Sequence, residues 1–163
     1  METYRLRYHP AEVTPAGRWL LAGFIAGALS VLIFHQGALA LMNLLDFMHR
    51  PLYSTTATAP WGIPAIWSLA FWGGAWGLVF AAFFMSLWGG ALVLAGMVFG
   101  AFVLSAVAWF VVAPIKGQAL AAGGVPMAMA AAMIANAAWG FGTALGLELF
   151  GRPRLSGTAP DPA

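Results

Sequence analysis

Along this chain the polar residues thin out four times, over residues 19–45, 64–85, 89–113 and 124–150, and each of these stretches is long enough to cross a bilayer as a helix. A hydrocarbon core about 30 Å thick needs about 20 predominantly apolar helical residues. The only formal charge inside the four stretches is Glu148, two positions from the end of the last. A charge at the bilayer centre costs roughly 3 kcal/mol on insertion scales, so stretches this clean read as spans. The expected fold class is all-α: a polytopic four-helix transmembrane bundle over residues 19–150, preceded by a cytoplasmic segment 1–18 and followed by a cytoplasmic tail 151–163 rich in Pro, Ser and Gly.

Composition agrees with the pattern. Hydrophobic residues make up 62% and charged residues 7% of the 163, against about 25% charged in soluble domains. Seven basic and five acidic residues form no nucleic-acid footprint, so the expected partners are the lipid bilayer and either a membrane protein or a second copy of the chain. With no cysteine, disulfides, thiolate metal sites and a cysteine nucleophile are excluded. Arg5, Arg7 and Arg18 precede the first span and Arg152 and Arg154 follow the last, whereas the opposite side holds Arg50 and Lys116. The positive-inside rule therefore predicts both termini cytoplasmic. The tripeptide Ala38-Leu39-Ala40 resembles a leader cleavage motif, but the apolar stretch before it is too long and carries His35 and Gln36, so the first span is expected to be retained.

Several short matches recur at an offset of 63: Gly27-Ala28-Leu29 with Gly90-Ala91-Leu92, Gly37-Ala38 with Gly100-Ala101, and Ala75-Trp76-Gly77 with Ala138-Trp139-Gly140. They suggest a duplicated two-helix hairpin in parallel orientation. Each span also carries a G-x-x-x-G pair, namely Gly23/Gly27, Gly73/Gly77, Gly96/Gly100 and Gly142/Gly146. Lipid is as apolar as leucine, so close backbone approach at small residues is what should hold such helices together. In the first span Gly23, Gly27, Ser30 and Gly37 share one stripe at about 100° per residue. The short turn near residues 86–88 predicts that spans two and three are antiparallel neighbours, and Pro114 should end span three. Trp19, Trp61, Trp88 and Trp109 read as an interfacial belt, Trp67, Trp72, Trp76 and Trp139 as packing residues.

Polar side chains within the spans are the local pointers to function. The candidates are His35, Gln36, Asn43, Ser68, Ser105 and Asn136, with Thr143 deeper in the last span. His35, Gln36 and Asn136 fall near the midplane by helical rise. They fit two readings: interhelical hydrogen bonds, or a small polar cavity opening to the outer face, with His35 titratable in it and the first loop (Tyr53, Thr55, Thr56, Thr58) as its cap. Bis-histidine haem would need a second intramembrane histidine, which spans two to four lack. No H-E-x-x-H, G-x-S-x-G or P-loop occurs, and His35 has no intramembrane carboxylate to orient it. The expectation is no catalytic residues, no metal and no cofactor. Glu148 is expected to pair with Arg152 and Arg154 at the interface.

The run from Gly62 to Gly77 (GIPAIWSLAFWGGAWG), with Phe34-His35-Gln36-Gly37 upstream, resembles a group of small bacterial inner-membrane proteins of unassigned function. The resemblance implies four spans and a plasma-membrane location, and implies no activity. Two functions are expected. One is a non-enzymatic accessory or assembly subunit, or homo-oligomer, acting through helix packing. The alternative is a small transporter or channel using the region of His35, Gln36 and Asn136.

Overall fold

The four apolar stretches form four helices in the computed structural model, which describes residues 15–150. They are α1 (Ala16–Leu44), α2 (Ala65–Phe83), α3 (Gly89–Ile115) and α4 (Pro126–Phe150), each long and apolar enough to cross a membrane. The protein is thus a multi-pass α-helical membrane protein in class. Residues 1–14, the tail 151–163 and any pairing of Glu148 with Arg152 or Arg154 lie outside the described residues.

The helix ends follow from which backbone groups find partners. The first N–H groups of a helix have no intrahelical acceptor. At the start of α2 the preceding loop supplies two: Ala65 N–H donates to the Thr56 carbonyl and Ile66 N–H to that of Ser54, both at 2.9 Å. A two-residue ribbon holds this loop, with β1 (Ala57–Thr58) antiparallel to β2 (Ile63–Pro64). At the start of α3, Gly89 adopts a positive φ of 58°, and its N–H donates to the Glu148 carboxylate. Glu148 therefore caps α3 from the end of α4, a favourable place for a negative charge at a helix N-terminus.

The helices pack in the order α2, α1, α4, α3. Across α1 and α2, Gly23 and Gly27 lie against the backbone of Gly77 and Gly73. Across α3 and α4, Gly96 lies against Gly140 and Gly100 against the backbone of Asn136. Gly142 and Gly146 have another use, meeting Phe34, Ser30 and Ala26 of α1. Helices α2 and α3, expected to be close neighbours, touch through aromatic rings instead: Phe99 sits 5.5 Å from Phe80 and 6.1 Å from Trp76. A tight connection fixes their ends, but bulky rings hold the backbones apart where small residues would let them meet.

Wide π-turns reset the faces of α1 and α3. In α1 one covers Val31–His35; in α3 two cover Phe99–Leu104 and Ala108–Val112. Each inserts a residue and rotates the remainder of its helix by about 100° relative to a regular one. The buried positions of α3 consequently step from Gly96 to Gly100 to Ser105. In α1 the same shift takes Gly37 off the stripe of Gly23, Gly27 and Ser30, leaving open space where a side chain would stand. The second π-turn of α3, Ala108–Val112, directly precedes Pro114 and lets the helix run through it to Ile115, because a proline is tolerated where the turn before it is not regular α.

The tryptophans divide differently from the sequence expectation. Trp19 is buried at 5% exposure, and its indole donates to the Ala81 carbonyl at 2.8 Å, so it locks α1 to α2. Trp67 and Trp72 both face outward at 59% exposure. The glycines contacting across the two crossings are also unequal in register. Gly73 and Gly77 match Asn136 and Gly140 at the offset of 63, but their partners, Gly23/Gly27 and Gly96/Gly100, stand 73 apart.

Candidate functional site

Each polar side chain inside the spans has to be traced to a partner, since an unpaired one in hydrocarbon is costly. Gln36 is the first residue after the α1 π-turn, and that turn buries it at 4% exposure. Its Oε1 accepts from the Tyr53 backbone N–H at 2.9 Å. The Gln36 N–H reaches the carbonyls of Val31 and Ile33, passing over that of Leu32. The Tyr53 hydroxyl donates to the Leu32 carbonyl at 2.8 Å. Tyr53, at a positive φ of 46°, thus bonds once to the π-turn and once to the residue that follows it, and the first loop sits down on α1 over Gln36.

Asn43 serves the same loop from two turns nearer the surface. Its side-chain amide donates to the Arg50 carbonyl at 2.8 Å, and its Oδ1 accepts from the Arg50 N–H at 2.9 Å. Asn136 instead bonds within the α3–α4 pair: its Nδ2 donates to Ser105 Oγ at 3.0 Å, and Ser105 is fully buried. Ser68 is half-buried in the first turn of α2 and joins none of these bonds. His35, Gln36 and Asn136 therefore do not share one hydrogen-bonded constellation. His35 is half-buried, and its Nδ1 is buried without a hydrogen-bond partner, as is Trp109 Nε1 on α3.

The most heavily used polar centre is built on Trp139, read from the sequence as a packing residue; of its members only Thr143 was among the polar candidates. Trp139 is 1% exposed. Its indole N–H donates to the Gly27 carbonyl of α1 at 2.9 Å. Its own carbonyl accepts from Ser30 Oγ at 2.6 Å and from Thr143 Oγ1 at 2.9 Å. The ring packs with Val31 of α1 and Ile66 and Ala70 of α2. Glycines at 27 and 73 let two neighbouring helices approach that ring. In sequence this centre is visible only as a tryptophan flanked at four residues by a threonine, on a helix whose partner face carries Ser30.

Compared with protein-family models, curated proteins and solved structures, the chain matches none. Its class therefore rests on its own four apolar helices.

Proposed function

We propose that this protein is a non-catalytic accessory or assembly subunit of a bacterial plasma membrane, working through lateral helix contacts with a membrane partner or a second copy. Both termini are cytoplasmic in this reading, and the matches at an offset of 63 record a duplicated hairpin. The observation that carries it is where the intramembrane polarity goes. Gln36, Asn43, Asn136, Ser105, Ser30 and Thr143 each bond to the chain itself. Such bonds contribute about 0.6 kcal/mol each in membranes and tie a scaffold together without presenting groups to a substrate. Extraction in mild detergent is expected to give a complex larger than one chain, stable to dilution. A lone monomer with no co-purifying membrane protein would sink this reading.

A second reading has one observation in its favour, the two buried ring nitrogens, His35 Nδ1 and Trp109 Nε1, that lack partners. Buried donors or acceptors left open are places where a water or small solute can be bound. In a transporter or channel, water would reach this level of α1 from the face that carries the first loop. A His35→Cys variant is cleanly testable because no native cysteine exists. Under the subunit reading it stays unlabelled by a membrane-impermeant maleimide in intact cells; rapid labelling would favour transport.

A further inference from the structure

Helices α1 and α4 flank a groove that runs from the level of Arg18 and Phe150 to that of Phe34 and Gly142. Near the bilayer middle they are in contact: the Phe34 ring lies on Gly142 and pairs edge-on with Phe141 at 5.4 Å. One turn lower Gly146 still meets Ala26. These contacts line an outward-facing groove of about 740 Å³, within the range of sites that hold small ligands. Its walls are Leu21, Ile25 and Leu29 on one side and Leu145 and Leu149 on the other; Arg18 stands at its mouth. Leu21, Ile25 and Leu29 are about half exposed.

We propose that this groove binds one anionic phospholipid, its phosphate on the Arg18 guanidinium and an acyl chain between α1 and α4. Depth favours this occupant. From Arg18 to Ser30 the helical rise is about 18 Å, close to the roughly 15 Å of one leaflet's hydrocarbon. The groove starts at headgroup level and is closed by Phe34 near the midplane. A transmembrane helix of a partner would have to continue past that closure. Charge favours it too. A guanidinium binds phosphate through parallel N–H donors, whereas a second copy docked here about a two-fold axis would set Arg18 against Arg18. The apolar walls match a hydrocarbon tail, and the cation lining the groove lies where the headgroup must be.

Native mass spectrometry of the purified protein with palmitoyl-oleoyl phosphatidylglycerol tests this against the phosphatidylcholine of the same chains. One phosphatidylglycerol per chain is expected to be retained in preference to phosphatidylcholine. Arg18→Gln should weaken its binding about fivefold, the contribution of one basic residue near an anionic surface. Arg50→Gln, on the opposite side, should leave binding unchanged. A phosphatidylglycerol bearing a photoreactive group on its acyl chain should label the wild type within residues 21–29 and 145–149, which decides the matter even if Arg18→Gln fails to fold. Equal retention of both lipids, equal losses in the two arginine variants, labelling elsewhere, or cross-linking of Ile25→Cys between two copies would each overturn the proposal.

Discussion

Replacing Gly140 by alanine is expected to destabilise the bundle by about 3 kcal/mol, at the upper end of overpacking penalties, while Gly90→Ala leaves stability within about 0.5 kcal/mol. The two glycines match in composition and differ only in what a methyl group would meet. A Cβ at Gly140 would run into the Gly96 carbonyl and the start of the Met97 peptide, whereas one at Gly90 meets nothing within 4 Å. Side chains can rotate away from an intruding methyl; the backbone of a packed helix cannot without separating α3 from α4. That separation would also strain the Asn136–Ser105 bond nearby. Unfolding in mixed micelles, followed by tryptophan fluorescence or by steric trapping, measures both variants. Equal stability of Gly140→Ala and wild type would mean that the α3–α4 crossing is looser than its glycine contacts indicate.

How much of this was legible in the sequence depends on which solvent surrounds each residue. Span number and limits were readable to within a few positions, because bilayer against water is a large contrast. Rotation of each helix was not, because lipid and protein interior are both apolar and no amphipathic stripe separates them. Trp72 and Trp139 look alike in the chain, yet one faces outward and the other is at the centre. Glycines gave partial guidance: Gly23 and Gly27 do sit against α2, but the π-turn at Val31–His35 carries Gly37 off their stripe. That turn has no sequence signature among its neighbours Val, Leu, Ile and Phe, and it is also what buries Gln36. The candidate polar residues stand out in the chain as unusual, but their partners lie in the first loop for Gln36 and Asn43, and in α3 for Asn136. Depth arithmetic placed three of them at one level; azimuth, which decides who meets whom, had to come from packing.

The residue on which that packing converges should be the most sensitive in the chain. Trp139→Ala is expected to cost about 3–5 kcal/mol, the range for deleting a buried large aromatic. Trp139→Phe should fall between, at about 1–2 kcal/mol, since it keeps most of the ring volume but leaves the Gly27 carbonyl without its indole donor. Trp72→Ala, at 59% exposure, serves as the control and should change stability by about 0.5 kcal/mol or less. The distinction tests mechanism as well as magnitude. If Trp139 acted only by filling space, Trp139→Phe would cost little more than the lost volume, and Ser30→Ala would be additive with it. As the structure has it, Ser30 and the indole both connect α4 to the same turn of α1, through the Trp139 carbonyl at 2.6 Å and the Gly27 carbonyl at 2.9 Å. Loss of one bond lets the α1–α4 contact relax and weakens the other, so the two substitutions should couple in a double-mutant cycle by more than about 0.5 kcal/mol. Strict additivity, or a Trp72→Ala variant as unstable as Trp139→Ala, would remove Trp139 from its place as the tie among α1, α2 and α4.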